Sequence, residues 1–356
     1  RKAFDSVNHE TLLYKLHRYG IRGVASDLIK SYLSYRYQFV NLNGEHSENL
    51  EIKLGVPQGS ILGPTLFLLY INDITEVKHT PEITIFADDT SIFFTGENGQ
   101  GIEKEANLYL SQLSIWLENN SLQLNTHKTK FILFKPVNKV SKENITLKYR
   151  MEYIDQVSTQ KFLGVWFNED LSWTPHSNHL LTDLSRAAGC ISRIAPLIPL
   201  WLKKTLYYTL FYSRLLNAIL VWGTTTKGNY DRLHVLQKSI LRLFENYKCK
   251  ISDLPTQPLF LKYDVLPANK VYYFKLMQII HKRELHKRYT DISSHYSFRT
   301  LAHKTKKART NYGKQDLEYQ AVKLLNFHEH RIHLTLPINS FKSAYKAFLK
   351  TTEYSY

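Results

Sequence analysis

Ile83-Thr84-Ile85-Phe86-Ala87-Asp88-Asp89-Thr90-Ser91-Ile92-Phe93-Phe94 is the stretch on which the reading of this 356-residue chain turns. Two short apolar runs, Ile83–Phe86 and Ser91–Phe94, read as strands, and the acidic pair lies between them. Two adjacent carboxylates repel one another, and turn chemistry gains nothing from the second that one Asp would not supply. A divalent cation removes that conflict, since hard carboxylate oxygens suit Mg²⁺. A solvated loop tip would carry the same pair, so the neighbours must decide.

Upstream, Gly55-Val56-Pro57-Gln58-Gly59-Ser60-Ile61-Leu62-Gly63-Pro64 runs straight into an apolar helix predicted over 60–71. The glycines permit close backbone approach or unusual dihedrals, Pro57 stiffens the loop, and Gln58 offers both a donor and an acceptor. The loop is neither a dinucleotide fingerprint nor a Walker loop: it lacks G-x-G-x-x-G, and no Lys-Ser/Thr follows its glycines.

Outward from these two segments the first half alternates helix and strand signals. Helices are predicted over 8–18, 25–35 and 102–117. A hairpin is predicted from 37–42 and 49–54 around Asn43-Gly44, with further strands at 131–134 and 162–167. The second half reads as helical. Over 230–246, Leu233, Leu236, Ile240 and Leu243 share one face, with Arg232, Lys238 and Arg242 mostly opposite.

Charge divides the chain in the same place. Residues 1–180 carry 18 Lys/Arg against 20 Asp/Glu, whereas 181–356 carry 29 against 11, so the net +16 resides wholly in the second half. A one-signed field of this kind points to a polyanionic partner, nucleic acid being the commonest. The run His303-Lys304-Thr305-Lys306-Lys307-Ala308-Arg309 fits a nucleic-acid or nuclear-import patch, or a merely solvated loop. Two cysteines, Cys190 and Cys249, build neither a disulfide scaffold nor a zinc knuckle and suit a reduced intracellular setting. No apolar run approaches the ~20 residues that span a bilayer, so no membrane partner is expected. The chain opens on Arg1 without an initiator Met and reads as a piece of a longer protein.

Five motifs occur in one order: Lys2-Ala3-Phe4-Asp5, Gly55-Val56-Pro57-Gln58-Gly59-Ser60, Phe86-Ala87-Asp88-Asp89, Asn125-Thr126-His127-Lys128-Thr129 and Phe162-Leu163-Gly164-Val165. In order and spacing they resemble the palm motifs of reverse transcriptases, in particular the non-LTR retrotransposon branch and its jockey-like elements. The resemblance covers about residues 1–170. Leu206–Trp222 and Leu233–Leu243 are similar, less specifically, to the thumb of such elements. It implies an α/β polymerase palm, a mixed sheet with packed helices, over 1–170. A basic, mainly α-helical thumb and C-terminal region follows over 171–356.

The resemblance also implies roles. Asp88 and Asp89 match metal-binding carboxylates for Mg²⁺, two ions in the complete enzyme. Gln58 and Gly59 match the loop lining the incoming nucleotide, and Phe4 the aromatic gate against a ribose 2′-OH. Lys128 matches the proton donor to pyrophosphate, Lys130 being the less favoured alternative, and Phe162–Val165 the hairpin that grips the primer. RNA template, DNA primer or target, and dNTPs are the partners implied, with nuclear and/or cytoplasmic residence. In the family pattern a first metal-binding Asp lies five residues before the gate, which falls two residues ahead of Arg1. Asp5 is therefore not that ligand and is expected to stabilise the start of the next helix. The fingers segment is likewise expected upstream, so this chain by itself is expected to be inactive. Two other readings stay open: a catalytically dead remnant or nucleic-acid-binding module, and, less well matched, a viral RNA-directed RNA polymerase.

Overall fold

The computed structural model describes residues 3–77, 81–135, 144–245, 254–290, 307–328 and 334–351. Two compact units divide the chain: Arg1–Phe131 with Val140–Val157, and Ile132–Lys139 with Ser158–Tyr356.

The first unit opens on a 3₁₀ turn, Ala3–Ser6, followed by α1 (His9–Arg18) and α2 (Val24–Leu33). Asn8 caps α1, its side chain accepting from the Thr11 N–H at 2.9 Å. A thin ribbon follows, in which β1 (Tyr37–Gln38) pairs with β4 (Leu50–Glu51) and β2 (Asn41–Leu42) with β3 (Glu45–His46). Asn43-Gly44 forms its turn, both at positive φ, as that dipeptide predicts. Next come α3 (Leu62–Ile71) and the hairpin β5 (Glu82–Phe86) and β6 (Asp89–Phe93). The unit is completed by α4 (Gly99–Asn119), β7 (Lys130–Phe131), β8 (Leu147–Tyr149) and β9 (Glu152–Gln156).

One core joins the elements that matter for the site. Leu12 and Leu16 of α1, Leu33 of α2, Val56 of the glycine loop, and Leu66, Phe67, Tyr70 and Ile71 of α3 are buried together. Phe4, Ile85 and Trp116 pack against them. Lys15 is buried in the same layer. Its ammonium donates to the Tyr70 carbonyl and to Asp73, both at 2.7 Å, and lies 4.8 Å from the Tyr70 ring centre. Burial pushes its pKa down against the opposing pull of Asp73.

The mixed sheet of the first unit is small, and the β5–β6 hairpin is not part of it. Among the described residues β5 and β6 pair only with each other, while β7, β8 and β9 make a separate mixed sheet in the order β7-β9-β8. The strand predicted over 131–134 ends at Phe131.

The second unit begins with the hairpin β10 (Thr159–Phe162) and β11 (Val165–Asn168). The single strand predicted over 162–167 is therefore broken, because Leu163 and Gly164 take φ of 46° and 86° and reverse the chain. Helices follow: α5 (Thr174–Ile194), α6 (Leu200–Leu206), a π-helical stretch Tyr207–Tyr212, α7 (Ser213–Leu216), α8 (Ile219–Trp222) and α9 (Lys227–Arg242). Beyond them lie α10 (Gln257–Lys262), α11 (Ala268–Lys282), α12 (Leu285–Thr290), α13 (Asn311–Gln315), α14 (Leu317–His328) and α15 (Ile338–Thr351). The predicted face of α9 is inward: Leu233 and Ile240 are buried, with Leu236 and Leu243 packed beside them.

Two side-chain amides tie this unit together. Gln237, fully buried, donates to the Tyr207 hydroxyl and the Leu266 carbonyl and accepts from Ala268 N–H, all at 2.8 Å. Gln315 accepts from the indole N–H of buried Trp173 at 2.7 Å and donates to the Leu171 carbonyl at 3.0 Å. Residues 303–306 of the basic run lie outside the described residues, as does Cys249.

Candidate active site

The β5–β6 hairpin closes with the pair Phe86↔Asp89, leaving Ala87 and Asp88 as a two-residue turn. Ala87 carries φ 52°, where such a turn favours glycine. Asp88 therefore sits in the turn and Asp89 on the first strand residue after it. Both side chains are exposed, and neither has a hydrogen-bond or ion-pair partner among the described residues. Concavities of about 670 and 510 Å³ are lined by α4 with β8–β9 and by the start of α5.

The glycine loop is built onto the N-terminal turn. Gly55 N–H donates to the Val7 carbonyl at 2.7 Å and Val56 N–H to the Phe4 carbonyl at 2.9 Å, while His9 Nε2 meets the Gly55 carbonyl at 2.7 Å. A Cβ on Gly55 would lie 2.8 Å from the Asp5 Cα, and its φ is +87°. Only glycine fits there without strain. Gln58 Nε2 then donates to the Asp5 carboxylate at 2.7 Å. Ser60 Oγ donates to the Pro57 carbonyl at 2.7 Å and accepts from Gly63 N–H at 2.9 Å, which gives a partner to one N–H of the first turn of α3. Gly59, at φ +82°, faces open space.

The cap hydrogen bond at the start of α1 comes from Asn8, while the Asp5 carboxylate accepts from Gln58 and fixes its amide. Asp5 makes no third member of a carboxylate cluster, because no group of three His, Cys, Asp or Glu side chains comes together among the described residues. Phe4 is half-buried and stacks on Phe67 with ring centres 4.4 Å apart. The structure therefore brings Phe4, Asp5, Gly55 and Gln58 into one assembly. The hairpin joins it through Ile85, which packs on the core that Phe4 also touches.

Lys128 stands apart, in a turn folded by Asn125, whose carbonyl accepts from the Lys128 and Thr129 N–H groups at 3.0 and 2.9 Å. Its ammonium is exposed and engages no acceptor among the described residues. Lys130 is committed to Asp155 at 2.5 Å, an ion pair that holds the Asp155 carboxyl below its usual range. His9 was not among the predicted site residues, whereas Ser60 was expected to line the site with Gln58 and Phe4. Ser60, two residues ahead of an apolar helix, carried a capping signal; His9 carried none.

The sequence of residues 1–167 matches the family described as reverse transcriptase (RNA-dependent DNA polymerase). Residues 1–167 are a reverse-transcriptase domain. The chain is 28% identical over 255 residues to the RNA-directed DNA polymerase from mobile element jockey of Drosophila melanogaster, covering 68% of this chain and 27% of that protein. It is 26% identical over 263 residues to a probable RNA-directed DNA polymerase from transposon BS of the same fly, covering 68% and 28%. A jockey polymerase of Drosophila funebris is 26% identical over 273 residues, covering 72% and 28%. The chain thus spans just over a quarter of the length of these curated relatives. Their names agree with the jockey-like resemblance read from the motifs. The reverse-transcriptase domain contains both hairpins, β5–β6 and most of β10–β11. No helix among the described residues is long and apolar enough to cross a membrane.

Proposed function

We propose that this chain is the palm and thumb portion of an RNA-directed DNA polymerase from a jockey-like non-LTR retrotransposon. Residues 1–170 are the palm and 171–356 the basic helical thumb and C-terminal region. The reaction is attack of a primer 3′-OH on the α-phosphate of a dNTP, which forms the new phosphodiester and releases pyrophosphate. What supports this reading most is the β5–β6 hairpin, whose two-residue turn leaves adjacent carboxylates exposed and uncommitted at its end.

Asp88 and Asp89 would hold Mg²⁺. Their hard, exposed oxygens fit a cation that binds through one or two carboxylates and keeps waters and substrate phosphates in its shell. The bound ion supplies charge neutralisation at the phosphates. Gln58 and Gly59 would line the incoming nucleotide. With Nε2 given to Asp5, the Gln58 amide keeps its oxygen as acceptor, and the Cα hydrogens of Gly59 leave room beside it. Phe4 would gate the sugar, its ring held by the Phe67 stack so that it cannot swing from a 2′-OH. Lys128 would hand a proton to the departing pyrophosphate, since the Lys130 ammonium is occupied by Asp155. RNA template, DNA primer and dNTPs are the partners in this reading.

A second reading, a binding module without catalysis, is favoured by the lack of a third carboxylate beside the pair among the described residues. Primer extension separates the two. The chain would be joined to the preceding segment of a jockey relative and supplied with RNA template, primer, dNTPs and Mg²⁺. It should extend the primer, and Asp88→Asn or Asp89→Asn should cut extension by roughly 10²-fold or more. Phe4→Ala should selectively raise ribonucleotide incorporation. Extension indifferent to both Asp substitutions would refute the polymerase assignment, and no extension at all would favour the binding module.

A further inference from the structure

The 15 residues of α11 and the 14 of α15 contain six lysines and no aspartate or glutamate. The two helices pack together: Lys270 of α11 donates to the Leu349 carbonyl of α15 at 2.6 Å, and His281 stacks on Phe341 with ring centres 4.3 Å apart. On α15, Lys342, Lys346 and Lys350 recur at every fourth residue and so form one row. Lys346 and Lys350 both reach the carboxylate of Asp264, the first at 2.5 Å. Lys275 on α11 and Lys342 on α15 are half-buried, and neither has an ion-pair or hydrogen-bond partner among the described residues. Burial and the nearby Lys342 charge both push the Lys275 pKa down. Two half-buried lysines on packed helices, close enough for their charges to interact and without a carboxylate partner among the described residues, are an arrangement that an anion from outside would relieve.

Resting on the reading above that the chain works on nucleic acid, we infer that Lys275, Lys342, Lys346 and Lys350 form a strip that binds the phosphodiester backbone of a nucleic-acid strand. Successive lysines of the row are about 6 Å apart along the helix axis, at 1.5 Å per residue. Alternate phosphates of one duplex strand are about 6.8 Å apart along theirs, and the flexible lysine stem absorbs the difference. Lysines at this spacing recognise a backbone and no particular base, so the strip holds template or product without sequence preference. Asp264 subtracts one charge from the four and tunes the grip.

The test is fluorescence anisotropy of the full chain with a short labelled DNA duplex across a salt series. Each phosphate contact contributes about 0.9 to the slope of log affinity against log salt. Lys275→Gln/Lys342→Gln should flatten the slope by nearly 2 and weaken binding at least tenfold at 0.1 M salt. Asp264→Asn, which frees two ammoniums and suits a left-handed backbone position, should steepen the slope and tighten binding. A gain of affinity cannot come from misfolding. Parent-like slopes for both variants, with binding intact, overturn the strip alone. No binding by the parent chain overturns the nucleic-acid reading with it. Equal binding of poly-glutamate at matched charge overturns the phosphodiester assignment in favour of an acidic protein.

Discussion

Replacing Gly55 by alanine should undo the assembly that carries Phe4 and Gln58, and the size of the effect follows from two terms. A side chain at φ +87° costs about 1–2 kcal/mol. Its Cβ would also lie 2.8 Å from the Asp5 Cα and 3.0 Å from the Asp5 carbonyl carbon and oxygen. These are backbone atoms that cannot rotate away, so overpacking adds about 1–3 kcal/mol. The total, about 2–5 kcal/mol, is at least a 30-fold rise in local opening. Amide hydrogen exchange reads it directly. The Gly55 and Val56 N–H groups bond to Val7 and Phe4, and their protection should fall by that factor. Gly59→Ala is the matched control: φ is again left-handed, +82°, but its Cβ meets open space. It should lose only the first term. Equal losses for the two alanines, or a larger one at Gly59, would refute the packing argument and with it the docking of the loop on Asp5.

The buried ion pair of the first unit should behave asymmetrically: Asp73→Ala leaves the Lys15 ammonium without its carboxylate and should cost about 2–3 kcal/mol, whereas Lys15→Met should lie within about 1 kcal/mol of the parent, both checked by chemical denaturation. In the second unit, burial pushes His176 and His234 down to about 4. The unfolded chain therefore binds protons that the folded one refuses between roughly pH 6.5 and 4. Stability should be full above that window and fall as pH drops through it, by at most about 1.4 kcal/mol per pH unit per histidine. His176→Gln should flatten the slope in a pH series of thermal melts; an unchanged slope would remove His176 from the account. Finally, the 356-residue chain assayed alone with primer, template, dNTPs and Mg²⁺ should give no extension above background, since Asp88 and Asp89 lack a third carboxylate among the described residues.

Local chemistry made much of this legible. Alternating apolar residues around Ala87-Asp88 and the Asn43-Gly44 dipeptide located the β5–β6 and β2–β3 turns, and the face of α9 followed from helical spacing. Errors arose where the deciding partner is distant in sequence. Nothing near Asp5 in the sequence announced that its carboxylate would accept from Gln58, 53 residues on. Periodicity alone ran one strand through Leu163-Gly164, although the motif resemblance had already marked a hairpin there. The π-helical stretch at Tyr207–Tyr212 leaves no signature in apolar spacing, and Gln237, a polar residue on a helix, gave no sign that it would be fully buried.

Gln315 has a consequence in time. It supplies the acceptor for the Trp173 indole across 142 residues and the donor to Leu171 across 144. At about 5–20 residues per second of synthesis, the start of α5 waits roughly 7–30 s for its partner to be made. Throughout that interval Phe167, only six residues earlier, can already flank the Trp173 ring, but the indole N–H has no acceptor. A nascent chain stalled before residue 315 should therefore exchange the Trp173 indole hydrogen freely, and release of the full chain should protect it.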